Sequence, residues 1–291
     1  GLDIPYDGWT YSEFLADAEK LTHGEGQDKV YGVCWARKQS GKSILYALDG
    51  VLGANQIYKN EDGTEVNFDN DVYRAGLNLV KETLDKGYAI PIEDEFSEDI
   101  SVANTFLQGK CAIMLGVAQM RLCMDQENYS HDFTTALVPA PVPDDEKYNT
   151  EFYRKQIGTT GAGDLLSISA NTKYPEASFE FAMWYLKGGM SPLVKGGRIP
   201  LWNGVDKSEV LSVLKEKAQG SIDMDSMENY LSLDTTQGVA AIKGHASSEI
   251  SSAWFEEFDA MCYGKQSVDQ TVQNMEKRGN ELIQTELSSQ K

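Results

Sequence analysis

The chain has 291 residues, which is enough for a large hydrophobic core and one or two domains. Its formal net charge of −19 repels nucleic acid phosphates and anionic lipids, so neither is expected as a partner. No apolar run approaches the ~20 residues of a membrane-spanning helix, and Gly1 is not followed by the basic and apolar regions of a secretory signal.

The spacing of cysteine and histidine argues against a metal site. The residues concerned are Cys34, Cys111, Cys123, Cys262, His23, His131 and His245. They form no CxxC pair and show no spacing typical of zinc ligands. We therefore expect no metal and no cofactor.

The first binding candidate is the loop after a short strand predicted at Val30–Trp35. An aromatic residue, Trp35, stands at the strand end, and Gly41-Lys42-Ser43 precedes an apolar helix. A phosphate-binding loop would need glycine at position 36, where this chain has alanine. The sequence therefore disfavours a nucleoside triphosphatase.

The second binding candidate follows the strongest strand pattern in the chain. Cys111–Leu115 is a continuous apolar run after a helix stop at Gly109-Lys110, which is typical of a strand in a buried parallel sheet. Ligands of open α/β sheets bind beyond the carboxyl ends of the strands. A ligand is therefore expected at the loop Gly116–Gln119.

A carboxylate cluster at Glu93–Glu98 is the main candidate for catalysis. A glycoside hydrolase needs two carboxylates ~5–10 Å apart around one bond, and Glu93 or Glu95 with Glu98 could supply them. Adjacent carboxylates on a loop more often form a solvated face. The spacing favours that solvated face.

Several other elements have clear local signals. Thr10 or Ser12 caps a predicted helix, and Asp62-Gly63 closes a predicted hairpin. Strands are predicted at 133–138 and 165–169, a strongly apolar helix at 179–186, and further helices at 210–219, 244–263 and 267–286, with a polar gap from 219 to about 236.

Short segments spread over nearly the whole chain carry a resemblance to a known family. They are Gly8–Phe14 with Ala18 and Leu21-Thr22, Phe106–Gly116 with its Gly109-Lys110 pair, Ser169–Thr172, Pro175–Ala177, Phe181–Leu186, Gly197–Pro200 and Tyr263–Gln270. No single segment is specific. Their order and spacing resemble the extracellular solute-binding proteins of bacterial ABC importers, in the sugar-binding group that includes maltodextrin-binding protein.

The resemblance implies an α/β, periplasmic-binding-protein-like fold of type II with two lobes. In the family, the segment that begins here at Trp9 lies well inside the chain, so the N-terminal part of the family's chain is expected to be lacking. Residues 1–155 and 206–291 would form a complete C-terminal lobe. Residues 156–205 would be the returning segment of an N-terminal lobe that is only partly present.

The resemblance also implies a function without catalysis. The protein would be the substrate-binding component of an ABC importer, located outside the cell as a lipoprotein or in the periplasm. It would capture a small polar solute, with a sugar or oligosaccharide favoured, in an interlobe cleft and pass it to permease subunits. A glycoside hydrolase and an adhesion or scaffold domain remain as alternatives.

By position, the resemblance implies eleven ligand-binding residues in this chain, of which Arg198 and Trp202 could instead fix their loop. Trp35 is the favoured stacking residue, because sugar-binding proteins stack apolar sugar faces on aromatic rings. Val117-Ala118 stands where many sugar-binding proteins carry an aromatic residue, which weakens the case for sugar. The eleven are Trp35, Ser40, Lys42, Ser43, Gly116, Gln119, Asp164, Arg198, Trp202, His245 and Ser248.

The apolar helix at 179–186 would have no partner helix or sheet in this chain. Exposed apolar surface of that kind tends to associate. We therefore expect the chain to fold, to bind its ligand more weakly than a full-length protein, and to self-associate or leave residues 156–205 poorly ordered.

Overall fold

A computed structural model describes residues 2–35, 58–97, 105–114, 120–155, 166–189, 191–200, 202, 204–233 and 244–289. A 3-10 turn lies at Gly26–Asp28 and a π-helical turn at Tyr185–Gly189. The helices and strands are, in chain order, α1 (Tyr11–Leu21), β1 (Tyr31–Cys34), α2 (Asp71–Asp85), α3 (Ile92–Ser97), β2 (Cys111–Met114), α4 (Met120–Cys123), α5 (Glu151–Arg154), α6 (Pro175–Trp184), α7 (Ser191–Val194), α8 (Lys207–Ala218), α9 (Met224–Ser232), α10 (Ser247–Cys262) and α11 (Val268–Ser289).

The chain forms two compact units. Unit 1 consists of Gly1–Gly116, Pro139–Ala162 and Leu233–Lys291, and unit 2 of Val117–Val138 and Gly163–Ser232. This division differs from the predicted one, because 117–138 and 206–232 lie in the same unit as 163–205. A parallel bridge between Thr135 and Ile222 holds these segments together. The assignment of the units to family lobes stays a prediction.

The strand predicted to begin at Cys111 is confirmed as β2. β2 pairs with β1 in parallel, with Tyr31 opposite Cys111 and Val33 opposite Ile113. A further parallel bridge joins Val33 to Ala89. The carboxyl ends of β1 and β2 therefore lie at the same edge of this small sheet.

Helix α1 covers one face of β1 at very short range. Thr10 caps α1 in a capping box with Glu13, which satisfies free N–H groups of the first turn. Phe14 and Ala18 on the buried side of α1 are fully buried. A Cβ at Gly32 of β1 would lie 2.1 Å from the Ala18 carbonyl oxygen, so only glycine allows this approach.

Helices α10 and α11 pack together and enclose a buried carboxylate. Glu257 is 9% exposed and accepts hydrogen bonds from Gln266 Nε2 (2.8 Å), Asn274 Nδ2 (2.9 Å) and Arg278 Nη1 (2.6 Å). Partial burial raises the pKa of Glu257, but the hydrogen bonds and the Arg278 charge outweigh it and hold the pKa below its usual value. The carboxylate is therefore ionised and links the two helices.

We expect Glu257→Gln to lower the free energy of unfolding by about 1–3 kcal/mol at neutral pH, because a charged acceptor of three donors is lost. The ionised Glu257 carboxylate stabilises the fold at any pH above its unfolded pKa of about 4.3. This stabilisation is lost as the pH falls from that value through the lower pKa that Glu257 has in the folded protein. The gap between wild type and variant in urea unfolding should therefore shrink in acid.

The matched control is Glu256→Gln. Glu256 binds the same arginine, Arg278, at 2.6 Å, but its side chain is 66% exposed. A solvent-exposed pair of this kind contributes about 0–1 kcal/mol. Equal losses in the two variants would contradict the role assigned to the buried carboxylate.

Three predicted elements of unit 2 differ in the structure. Residues 166–169 are exposed and form no strand, because the described part of the chain offers them no partner strand. Residues 133–138 form only the bridge at Thr135. Helix α9 occupies the predicted polar gap. Its buried side includes Ser226, whose hydroxyl accepts from Leu137 N–H at 2.9 Å. Because this buried residue is polar, the sequence shows no apolar helical pattern here.

Candidate functional site

Trp35, the favoured stacking residue, lies in the core at the end of β1. Only 4% of Trp35 is exposed, and its ring packs against Phe14 with centroids 5.8 Å apart. Its indole N–H donates to Thr83 Oγ1 at 2.9 Å. A sugar could reach this ring only if its neighbours moved apart, so these contacts favour a structural role over stacking.

Thr83 of α2 connects Trp35 to the edge of the sheet. Thr83 is fully buried, and its hydroxyl donates to Val80 O at 2.8 Å while it accepts from Trp35. Its carbonyl accepts the N–H groups of Tyr88 and Ala89 at 2.8 and 3.0 Å. Sequence analysis missed Thr83, because a threonine inside a helical pattern carries no sign of such a contact.

Several predicted ligand-binding residues lie outside the described residues. The same holds for Glu98 of the carboxylate cluster and for the side chain of Glu95, whereas Glu93 is exposed. The predicted ligand-binding residues concerned are Ser40, Lys42, Ser43, Gly116, Gln119 and Asp164.

His245 lies at a junction of main-chain and side-chain bonds before α10. Its N–H donates to Gly63 O at 3.1 Å and its carbonyl accepts from Tyr58 Oη at 2.9 Å. Its Nδ1 lies 2.9 Å from Glu286 Oε1, and the other carboxylate oxygen, Oε2, accepts from Ala246 N–H. His245 thus joins the hairpin region, the start of α10 and the end of α11.

Tyr58 and Gly244 belong to the same junction, and Ser248 follows it on α10. Burial, followed by the charge of Glu286, raises the pKa of Tyr58, so its hydroxyl remains a donor at neutral pH. A Cβ at Gly244 would lie 1.9 Å from the Tyr58 ring. Ser248 is exposed on the first turn of α10, and its carbonyl accepts from Ser252 Oγ at 3.1 Å.

Arg198 and Trp202 lie on a loop of unit 2. Gly197 has φ +81°, and its Cα is packed so closely on Arg121 and Met124 that a Cβ would clash with them. Trp202 covers Gly204, where a Cβ would come within 2.3 Å of the indole ring, and still leaves 41% of its own surface exposed. Of the two predicted aromatic residues, Trp202 therefore presents the accessible ring.

An open depression of about 400 Å³ on unit 2 was not predicted. Hydrogen bonds from the Asn128 side chain are the main cause of the lowered pKa of Asp125 at its rim, so this carboxylate stays charged. The lining residues come from sequence positions about 90 residues apart, and no local pattern joins them. They are Met124, Asp125, Gln126, Glu127, Lys217 and Gln219.

The described residues contain no group of three or more His, Cys, Asp or Glu side chains that could hold a metal ion. The four cysteines are not joined by disulfides in the structure. None of the helices described is both long and apolar enough to cross a lipid bilayer.

Several solved structures with a similar fold are described as sugar-binding or sugar-transport proteins. A sugar transporter from Rhizobium etli, in an open conformation, has a TM-score of 0.69 at 16% identity. An ABC substrate-binding protein from Listeria monocytogenes in complex with cycloalternan and the sugar-binding protein MalE from Xanthomonas citri both have TM-scores of 0.64 at 17% identity. These similarities cover 98, 97 and 96% of this chain and 66, 65 and 64% of the other chains.

The chain thus has the α/β fold of type II periplasmic-binding proteins and spans about two thirds of the length of these relatives. The sequence profile of the bacterial extracellular solute-binding protein family matches residues 1–187. Because the match covers more than half of the 291 residues, the chain belongs to this family. A comparison with curated proteins finds no significant match.

Proposed function

We propose that the protein is the substrate-binding component of an ABC importer and captures a sugar or oligosaccharide. The family match over residues 1–187 carries this proposal. Three structural relatives with sugar-related descriptions support it, one of them solved in complex with cycloalternan. By the same reasoning its partners are the permease subunits of an importer, and the mature protein lies outside the cell as a lipoprotein or in the periplasm.

The proposed activity is reversible binding without chemistry. A binding site of this kind needs exposed aromatic rings for the apolar faces of a sugar and polar side chains for its hydroxyl groups. Trp202, with its partly exposed indole, and the neighbouring Arg198 offer both on one loop of unit 2. We therefore assign the stacking role to Trp202 instead of Trp35.

A thermal-shift screen of monosaccharides, maltodextrins and cycloalternan tests this function. A sugar present at 100 times its dissociation constant should stabilise the binding unit by about 2.7 kcal/mol. Calorimetry then gives the affinity, and a reducing-end assay should recover the sugar unchanged. Hydrolysis of the sugar would point to the glycoside hydrolase alternative, and the lack of any shift across the panel would remove sugar as the ligand class.

We expect Trp202→Ala to weaken binding of the sugar found in that screen at least about fivefold, which corresponds to roughly 1 kcal/mol for one lost stacking contact. The melting temperature should change little, because Trp202 is partly exposed. Phe152→Ala is the matched control, since Phe152 is an exposed aromatic residue of unit 1 that is not assigned to the site. Equal affinities of Trp202→Ala and wild type would exclude Trp202 from the site.

A further inference from the structure

The open depression on unit 2 is lined by charged and amide side chains from two segments that lie far apart in sequence. The turn after α4 supplies Met124 to Glu127, and the end of α8 supplies Lys217 and Gln219. The volume of about 400 Å³ falls within the range of about 300–1,000 Å³ that is usual for ligand pockets. The depression is therefore large enough to hold a small molecule.

Hydrogen bonds hold the loop after α8 against the segment that follows the turn after α4. The N–H of Thr135 donates to Ser221 O at 2.9 Å. The hydroxyl of Thr134 donates to the carbonyl of Gly220, next to Gln219, at 3.0 Å. The two segments that line the depression are thus joined by the fold of unit 2 itself.

Two of the lining side chains are already held in place. Asp125 accepts hydrogen bonds from the main-chain and side-chain nitrogens of Asn128 at 3.3 and 3.0 Å. Gln126 Oε1 accepts from the His131 N–H at 3.3 Å, and Gln126 Nε2 lies 3.0 Å from His131 Nδ1. Side chains that are ordered before a ligand arrives lose less entropy on binding, which favours binding at this place.

Charges of both signs line the depression without pairing with one another. Hydrogen bonds from Asn128 are the main cause of the lowered pKa of Asp125, and the positive charge of Lys217 adds to the effect, so these two charges interact. Within the described part of the chain, however, no ion pair joins Lys217 to Asp125 or Glu127. Two carboxylates and one ammonium give the lining a net charge of −1.

We propose that this depression binds a free basic amino acid, such as L-lysine or L-arginine. At neutral pH such a ligand carries two positive groups and one carboxylate. These charges complement the two carboxylates of Asp125 and Glu127 and the ammonium of Lys217. The amides of Gln126 and Gln219 supply both donors and acceptors for the remaining polar atoms of the ligand.

The lining favours a charged ligand over a second sugar. Sugar sites combine polar side chains with aromatic rings on which the sugar stacks. None of the six described lining residues is aromatic. None of them is assigned to the sugar either, so this proposal goes beyond the proposed function and does not rest on it.

Calorimetric titration of the whole chain with L-lysine and with L-arginine tests the proposal. We expect saturable binding of one ligand per chain, weakened by salt because the contacts are between charges near the surface. Cadaverine lacks the carboxylate of L-lysine, and L-norleucine lacks its side-chain ammonium. Each of these two analogues should bind at least about tenfold more weakly than L-lysine.

Variants of the lining locate the ligand. Glu127→Gln and Lys217→Met should each raise the dissociation constant for L-lysine about tenfold or more. Lys217→Met should also remove the preference for L-lysine over cadaverine, which a purely structural role of Lys217 would leave unchanged. The matched controls are Glu216→Gln and Lys215→Met, because both residues are exposed on α8 and lie outside the lining. Both controls should bind L-lysine like wild type.

Three results would overturn the proposal. The first is the absence of binding by L-lysine and L-arginine at every soluble concentration. The second is an equal affinity for L-lysine in wild type, Glu127→Gln and Lys217→Met, because the ligand would then lie elsewhere. The third is equal binding of cadaverine and L-lysine by wild type, because the depression would then attract any cation. Circular dichroism and urea unfolding of each variant should match wild type, and a variant that fails this check is replaced by Gln219→Ala, for which the same loss is expected.

Discussion

Replacing Trp35 by alanine should lower the free energy of unfolding of unit 1 by about 3–5 kcal/mol, the usual cost of removing a buried aromatic side chain. The ring is 4% exposed and packs against Phe14, so its loss leaves a cavity between α1, β1 and α2. Thr83 would also lose the indole donor that lies 2.9 Å from its hydroxyl. Urea unfolding followed by circular dichroism measures the loss.

Two variants separate the packing of Trp35 from its hydrogen bond. Trp35→Phe retains most of the ring and should cost less than Trp35→Ala, with a part of about 0.5–1.5 kcal/mol due to the lost hydrogen bond. Thr83→Val keeps the shape of the threonine but leaves the buried indole N–H without its acceptor, which costs about 1–3 kcal/mol. If Trp35→Ala unfolds at the same urea concentration as wild type, Trp35 is not a core residue.

The same variant also tests the original expectation that Trp35 stacks on a sugar. A ligand contact would lower the affinity by at least ~1 kcal/mol while the fold survives. A core residue would lower the stability first. Measuring both quantities on Trp35→Ala distinguishes the two roles, and the buried position of the ring predicts that the loss of stability dominates.

The sequence was most informative where local chemistry alone determines the structure. Thr10 with Glu13 forms the capping box of α1, and the apolar run from Cys111 forms β2. After α2, Gly87 has φ +70°, the left-handed conformation that glycine provides at the end of a helix. Each of these features depends on neighbours within a few residues. They are therefore visible in a single sequence.

Prediction failed where a partner distant in sequence decides the outcome. The alternation at Leu166 and Ile168 is typical of a strand, but an extended segment becomes a strand only when another strand pairs with it. Ser226 is polar, yet it is buried because its hydroxyl meets a main-chain N–H of Leu137. Neither fact can be read from the residues around these positions.

The candidate site shows the same limit. A tryptophan at a strand end has the same appearance in sequence whether its ring faces a ligand or the core. The deciding contact is Thr83, 48 residues further along the chain. His245 was predicted near the ligand, but its described bonds, to Gly63, Tyr58 and Glu286, are structural. Its role in binding stays a prediction.

Gly32→Ala should strongly destabilise unit 1, with a loss of about 3 kcal/mol or more. The added Cβ would lie 2.1 Å from the carbonyl oxygen of Ala18 and 2.7 Å from its Cα. These are backbone atoms of α1, which cannot rotate away like a side chain. The helix must therefore move off the strand, and overpacking of this kind costs 1–3 kcal/mol or occasionally more.

The shift would also weaken a second contact between the same elements. The Gly32 N–H donates to Thr22 Oγ1 at 2.9 Å, just beyond the end of α1, and this bond stretches if α1 moves. Gly188→Ala is the control, because its added Cβ meets nothing within 4 Å and its φ is not positive. In a helical turn this change should be neutral or stabilise by up to about 1 kcal/mol. A Gly32→Ala variant that unfolds like wild type would show that α1 does not lie against β1 as closely as described.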